Sequence, residues 1–415
     1  MVGDGGLHSS ASQQLRILTL NCWGLWMASK KRKKRMRHIG AMLQKTSADV
    51  VLLQEVWVSS DAAFLMECAG ESNLRHSHHF KSGIFGSGLI TLSRFPIVRS
   101  KFWAYQVAGD PLKIHVGDYY ASKGLGWCRL DTPWGELDVA NTHLHANYNH
   151  KYDSLTDAHI PTDPFAPIRI AQILELSTMI HLLMSASQCS MVLGGDLNCR
   201  PDTLEFKMLL GLTPRSLKDA WSEANVRLPG CTCNEAGNSF SKKDGGDRPE
   251  RIDYVLTTFP CLDAKVVLTR IPEEPSLSYS DHCGVRVVVD SSATGRAPRA
   301  SEGIHPSHDL THMLNAGMSI ISGGIEASRN RLRTLQTLSI VMLVLSAILV
   351  YGMSSCGVCD WALAIWPSFP LVFALGFYVM GLMGEGPQCR ALSESADSLQ
   401  HLQGMLTRGK KASVI

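Results

Sequence analysis

The stretch from Met191 to Asn198 leaves its chain few folds to adopt. Met191, Val192 and Leu193 form an apolar run that ends in Gly194 and Gly195 and then delivers Asp196 and Asn198. Residues two apart share one side of an extended strand, so the carboxylate and the amide emerge together while Leu197 points the other way. Such a pair can hold a hydrated metal, a water or a phosphate oxygen, and the glycines let another backbone come close. Taken alone, the stretch also suits a strand that stops in a turn, because Gly, Asp and Asn are ordinary turn residues.

Recurrence separates the two readings. Leu15 to Asn21 alternates as a strand and exits on the amide of Asn21, and Val50 to Leu53 runs into Gln54 and Glu55. The pattern from Leu137 ends in Asn141, Thr142, His143 and His145, while Asp253, Asp281 and His282 stand beside the apolar runs at 254–256 and 285–289. A carboxylate at the end of a buried strand is costly unless paired or bound to a cation, which makes Glu55 a candidate metal ligand. Helical spacing appears at Met36, Ile39 and Leu43 and again at Ile170, Ile173, Leu174 and Ile180. Strands alternating with helices define an α/β class. Asn21, Glu55, His143, Asp196, Asn198, Asp253, Asp281 and His282 all fall at or beside strand ends, supplying a hard-cation ligand, groups that orient water and phosphate, and histidines for proton transfer.

The chain of 415 residues is 45% hydrophobic and 19% charged, enough for a large core and an appendage. A net charge of +3 does not call for a nucleic-acid partner. Twelve cysteines without framework spacing suit a reducing compartment, and no apolar signal segment opens the sequence. The basic run of Lys30, Lys31, Arg32, Lys33, Lys34, Arg35 and Arg37 reads as a solvated helix face or as a contact for anionic phospholipid headgroups. The glycine-and-aromatic loop at 80–88 reads as turn chemistry or as a rim facing membrane or substrate.

Two stretches near the C-terminus, 335–353 and 361–383, are almost free of charge and long enough for a transmembrane hairpin. Arg329, Arg331 and Arg333 precede it and Arg390, Arg408, Lys410 and Lys411 follow, while the connection holds only Asp360; both ends are then cytosolic. The expected organisation is a tail at 1–14, a catalytic domain at 15–290, a linker at 291–330, a transmembrane hairpin at 331–385 and a cytosolic tail at 386–415. Such a multi-pass protein fits the endoplasmic reticulum or nuclear envelope, with its catalytic domain facing the cytosol.

In order and context, Gln54-Glu55, Gly88-Leu89, Ser93-Arg94-Phe95-Pro96, Thr142-His143, Gly195-Asp196-Leu197-Asn198, Arg251-Ile252-Asp253-Tyr254 and Ser280-Asp281-His282 resemble the endonuclease/exonuclease/phosphatase superfamily, the deoxyribonuclease I-like fold. The resemblance spans about residues 14–290. It implies a four-layer α/β/β/α sandwich and Mg²⁺-dependent cleavage of phosphoester bonds. Through Asn21-Cys22-Trp23-Gly24, Gln54-Glu55-Val56-Trp57, the loop at 79–88 and Thr142-His143-Leu144-His145, the chain is similar to the neutral sphingomyelinases. That likeness implies sphingomyelin and related choline lipids as substrates, Glu55 as the metal ligand, His282 as the base and Asp253 as the group orienting it. It further implies that Asp196 and Asn198 orient water or phosphate, that His143 and Asn21 stabilise phosphoryl charge, and that Asp281 lies near the metal shell. Asp118 and Lys123 match the spacing of an Asp-Lys pair in such enzymes, with Lys123 reaching the substrate phosphate; a plain surface pair is the other reading. Rival activities are phospholipase C action on lyso-platelet-activating factor or an inositol lipid, and a non-catalytic membrane scaffold.

Overall fold

The computed structural model describes residues 13–26, 28–110, 117–148, 163–187, 189–225, 228–241, 248–293, 308–357, 359, 362 and 365–412. The chain divides into two compact units, one of Met1–Tyr105, Ala121–Ala146 and Glu175–His305, the other of Gln106–Tyr120, Asn147–Leu174 and Pro306–Ile415.

The first unit holds two six-stranded sheets. One contains β1 (Gln14–Asn21), β2 (Val50–Gln54), β3 (His76–His79), β4 (Ile90–Ser93), β11 (Cys261–Val267) and β12 (Gly284–Asp290), in the order β11-β12-β1-β2-β4-β3. The other contains β5 (Ile97–Ala104), β6 (Gly124–Thr132), β7 (Gly135–His143), β8 (Ser190–Asp196), β9 (Lys218–Asp219) and β10 (Asp253–Thr257), in the order β5-β6-β7-β8-β10-β9.

Alternation along the strands explains the layering. Leu15, Ile17, Val50 and Leu52 join Val139, Val192, Val255 and Val287 in the core between the sheets. Their neighbours Leu18, Leu20, Val51 and Leu53 point to the opposite face, where they meet Met36, Ile39 and Leu43 of α1 (Arg32–Lys45) and Leu65 of α2 (Ser59–Gly70). A strand buried on both faces reads as a continuous apolar run, as Val50 to Leu53 does. On the second sheet, Phe206 of α4 (Leu204–Leu212) stacks on Tyr254 of β10 with ring centroids 4.4 Å apart. The chain thus forms the four-layer sandwich of the deoxyribonuclease I-like type. A short helix, α5 (Ala220–Ala224), is capped by the Asp219 side chain, and α3 (Ala166–Ser187) precedes β8.

In the second unit the C-terminal residues form α6 (His308–Ser355), α7 (Ser368–Met380), a π-helical turn (Gly381–Glu385) and α8 (Gly386–Ala412). Two expected boundaries differ here. Residues 294–307 of the expected linker lie outside the described residues, but the chain is helical from His308 because Leu310, Leu314, Ile321 and Ile325 recur at helical spacing and are buried. The expected tail after 386 is likewise a helix, with buried Leu392, Leu399 and Leu406 one heptad apart. Ser328 Oγ donates to Glu385 Oε2 at 2.7 Å and Arg331 Nε to Glu385 Oε1 at 2.8 Å, so the fully buried Glu385 is satisfied where the π-helical turn ends.

Among the described residues, three helical segments are long and apolar enough to cross a membrane: Ala166–Ser187, Asp309–Ser355 and Ser368–Thr407. Half of the apolar window of the first is buried within the protein, against 6% for the second, so the first is a core helix and the C-terminal pair are the membrane candidates.

The basic run needs a correction. Arg32 and Arg35 are buried: Arg35 donates to Cys22 O at 2.7 Å, Trp23 O at 2.6 Å and Tyr279 O at 3.1 Å, and Arg32 pairs with Asp61. Only Lys30, Lys31, Lys33, Lys34 and Arg37 are exposed. Arg32, Arg35, Met36, Ile39 and Leu43 share one helical stripe, so two guanidinium groups ride on the core-facing side.

Candidate active site

Sheet topology gathers the polar strand ends. β1 runs parallel to β2, with Asn21 opposite Gln54, and β7 runs parallel to β8, with His143 opposite Asp196. These four strands finish at the edge where antiparallel β10 starts, Asp253 facing Asp196. His282 stands two residues before β12, which pairs antiparallel with β1. Beneath them Gln54 Nε2 donates to Asn141 Oδ1 at 2.8 Å, and Asn141 Nδ2 donates to Leu53 O and Ile90 O, tying one sheet to the other.

His282 and Asp253 form a buried dyad. His282 Nδ1 lies 2.8 Å from Asp253 Oδ2, while Nε2 faces Asp196 Oδ2 at 4.0 Å. Because Asp253 is the acceptor, the proton sits on Nδ1 of the neutral ring and the Nε2 lone pair is left toward Asp196. Burial works against the imidazolium, but Asp253, Cys233 and Asp196 together outweigh it and raise the His282 pKa well above the ordinary histidine value. Burial and the neighbouring Asp253 charge push Asp196 up to about 7. Asn21 Nδ2 donates to Asp196 Oδ2 at 2.9 Å and to Glu55 Oε1 at 3.2 Å, bridging the two carboxylates.

A second polar cluster adjoins the first. Lys123 Nζ donates to His143 Nε2 at 3.0 Å and to Leu144 O at 2.9 Å. An ammonium has no acceptor, so His143 carries its proton on Nδ1. Burial and the Lys123 charge hold its pKa well below the usual value. His143 Nε2 lies 3.5 Å from Asp196 Oδ2 and 3.9 Å from Glu55 Oε1. Asn198 Nδ2 donates to the same Leu144 carbonyl at 3.0 Å. Asp118 is buried on the turn before β6 and belongs to the second unit.

Two groups of residues fit a metal ion. Asp196, Asp253 and His282 each offer a ligand atom, all within 4.8 Å of one another. Glu55 lies outside that group: its Oε2 is buried without a hydrogen-bond partner, and burial, followed by the charge of Asp281, raises its pKa. Glu55 would hold a hard cation that satisfies the orphan oxygen and offsets the repulsion from Asp281, since carboxylate oxygens are the donors such a cation prefers. In the first group His282 Nδ1 is already bonded to Asp253 Oδ2, while Asp253 Oδ1 is, like Glu55 Oε2, buried without a hydrogen-bond partner.

The backbone is strained where the site is built. Glu55 and Asn198 adopt left-handed φ values of 57° and 48°, conformations non-glycine residues hold only when their surroundings enforce them. Gly24 N and Cys22 N donate to Glu55 O and Gln54 O, and Asn198 N donates to Asp196 Oδ1 at 2.9 Å. Gly195 is the sharpest case: φ is 142° and a Cβ there lies 1.9 Å from Thr142 O. Gly195→Ala is therefore expected to cost about 1–3 kcal/mol or more, measured as a lowered thermal unfolding midpoint; an unchanged midpoint contradicts the close approach of β7 and β8.

Two supporting residues escape sequence reading: Thr232 Oγ1 accepts from Asp253 N and Ile252 N, and Asn238 Nδ2 donates to Ser280 O at 2.9 Å, where Ser280 Oγ in turn donates to Asp281 Oδ1. Both come from a turn-rich stretch with no periodicity. Arg35 offers a signal in hindsight, a charge at an apolar position of the α1 stripe.

Comparison with known proteins identifies the family. The Endonuclease/Exonuclease/phosphatase family model matches residues 18–282. The chain belongs to that family and is a phosphodiester hydrolase. Sphingomyelin phosphodiesterase 2 of Rattus norvegicus is 30% identical over 416 residues, 96% of this chain and 92% of the relative. An inositol phosphosphingolipids phospholipase C of Schizosaccharomyces pombe is 31% identical over 306 residues, 66% of this chain and 68% of the relative. The crystal structure of sphingomyelinase C from Streptomyces griseocarneus matches with a TM-score of 0.50 at 18% identity, covering 67% of this chain and 99% of that one, a likeness of fold.

Proposed function

We propose that this protein is a Mg²⁺-dependent, membrane-anchored neutral sphingomyelinase that hydrolyses sphingomyelin to ceramide and phosphocholine. The observation that carries the chemistry is the His282–Asp253 dyad, with Nε2 4.0 Å from Asp196 Oδ2. A water lying off the line between the two atoms would reach both at about 2.8 Å. Asp196 orients the water, His282 Nε2 takes its proton, and Asp253 stabilises the imidazolium that forms. Asn21 Nδ2 and the Lys123–His143 pair line the same region and stabilise negative charge on the phosphoryl oxygens, while Asn198 fixes the Leu144 carbonyl that helps anchor Lys123. Glu55, with Asp281 nearby, would hold Mg²⁺, which when bound supplies Lewis-acid stabilisation of the transferring phosphoryl group.

The relatives named sphingomyelin phosphodiesterase support this substrate, and the C-terminal helices, where Ile340, Val344, Ile348, Phe369, Val372 and Phe373 are exposed, support the anchor. With both helix ends on the cytosolic side, the catalytic unit works on the cytosolic leaflet of the endoplasmic reticulum or nuclear envelope. The yeast relative supports a second reading, an inositol phosphosphingolipid substrate. A panel of sphingomyelin, lyso-platelet-activating factor and inositol phosphosphingolipid, assayed with Mg²⁺ and with chelator, separates these. Release of phosphocholine from sphingomyelin, abolished by chelator and restored by Mg²⁺, is the expected outcome. Turnover of the inositol lipid alone overturns the headgroup assignment, and equal turnover with chelator overturns the metal.

A further inference from the structure

Two loops rise from the strand end that carries Glu55, and both expose large apolar side chains. The first follows β1 and presents Leu25 and Trp26, 40% and 75% exposed; the second joins β3 to β4 and presents Ile84 and Phe85, 81% and 58% exposed. Single exposed apolar residues are ordinary. These four are different because both loops are bonded to the same few residues at the site. Gly24 N donates to Glu55 O at 2.8 Å, and Val56 N donates to Gly88 O at 3.0 Å. The second loop is also held beside Lys123, since Ser122 N donates to Gly86 O at 3.2 Å and the hydroxyls of Ser82 and Ser122 are 2.7 Å apart. Folding is not what keeps these side chains outside: Trp23, three residues before Trp26, packs edge-on against Phe240 at 5.0 Å and under Arg35 at 4.9 Å.

We propose that Leu25, Trp26, Ile84 and Phe85 form a rim that dips into the interfacial layer of a phospholipid bilayer around the mouth of the active site. Indole, phenyl and branched aliphatic groups on loop tips suit the boundary between headgroups and acyl chains. Charge agrees: the stretches 23–31 and 80–88 contain no Asp or Glu, and Lys30, Lys31 and Lys81 are exposed beside the apolar tips. The rim draws the Glu55 edge onto the membrane, so a headgroup at the surface reaches the site without the lipid leaving the bilayer. Its purpose rests on the lipid-hydrolase reading above, but its contact with lipid is measurable without turnover.

The full-length protein is reconstituted into phosphatidylcholine vesicles free of sphingolipid, with some lipids brominated near the glycerol. The brominated lipid is expected to quench Trp26 emission, so that Trp26→Phe loses part of the quenching; identical quenching in the wild type and Trp26→Phe overturns the proposal. Kinetics provide the second readout. The triple variant Trp26→Ser, Ile84→Ser, Phe85→Ser is expected to raise the interfacial KM for bilayer substrate about tenfold, about 1.4 kcal/mol, while keeping kcat on a short-chain substrate below its micelle concentration. The conservative set Trp26→Phe, Ile84→Leu, Phe85→Leu should restore the interfacial KM. Equal loss on bilayer and monomeric substrate overturns the rim, because the loops then shape the site itself. A wild type that is quenched yet turns over no sphingomyelin supports the rim and refutes the headgroup assignment.

Discussion

His282→Ala is expected to lower turnover by at least about a hundredfold, the usual scale of general base catalysis, while leaving substrate binding nearly unchanged. Asp253→Asn should lose less. Its amide can still reach His282 Nδ1, but it can offer a donor where the carboxylate only accepts, which places the ring proton on Nε2 and removes the lone pair that faces Asp196 at 4.0 Å. The double variant should be scarcely worse than His282→Ala, since residues acting as one unit are not additive. If the two losses multiply instead, the dyad is wrong. The pH profile supplies an independent sign. His282 is raised well above the ordinary histidine pKa against the effect of burial, by Asp253, Cys233 and Asp196. The base is active only when deprotonated, so kcat/KM should rise with pH through a midpoint above about 6.5. Asp253→Asn removes the principal group opposing burial, so its midpoint should move to lower pH. A midpoint that stays in place or moves up shows that Asp253 is not what holds the proton on His282.

How much of this was legible in the sequence follows from which interactions are local. The strand exits at Asn21, Glu55, His143 and Asp196 were readable because each apolar run is short, continuous and ended by a polar group, and parallel pairing then brings those ends to one edge. The two-sheet division was legible only through the family resemblance. Nothing in Val50 to Leu53 says which face meets α1 and which meets the other sheet, because both are apolar. β3 was missed since His76, Ser77, His78 and His79 carry no apolar alternation and owe their conformation to pairing with β4. The helical stretch from His308 was hidden by Ser, Gly and Asn between its buried positions, which lower mean hydropathy without interrupting the spacing of Leu310, Leu314, Ile321 and Ile325. Lys123 could be matched by spacing, but its contact with His143 Nε2 at 3.0 Å depends on β6 and β7 lying side by side, a tertiary fact.

Glu55→Gln should abolish Mg²⁺-dependent activity and yet leave a protein as stable as the wild type, or more so, when no metal is present. Burial raises the Glu55 pKa and the Asp281 charge raises it further, so ionised Glu55 is held in the fold at a cost that Lys123, His282 and Asn21 only partly offset. Glutamine keeps the shape, and its oxygen can still accept from Asn21 Nδ2, now 3.2 Å from Oε1. What disappears is the charge that attracts a hard cation. A group whose removal stabilises the empty fold while ending function is the pattern of a site maintained against stability. The measurement is thermal unfolding with and without Mg²⁺. Binding to the native state alone stabilises the wild type by about 2.7 kcal/mol at a hundredfold excess over Kd, and that increment should vanish in Glu55→Gln. Asp281→Asn distinguishes a direct ligand from a neighbour. Loss of the Mg²⁺ increment in both variants makes Asp281 a second ligand, whereas loss in Glu55→Gln alone leaves Asp281 as a charge that tunes the site. Should Glu55→Gln retain the full increment, the ion is held elsewhere, and Asp196, Asp253 and His282, whose ligand atoms lie within 4.8 Å of one another, become the group to which it must be assigned.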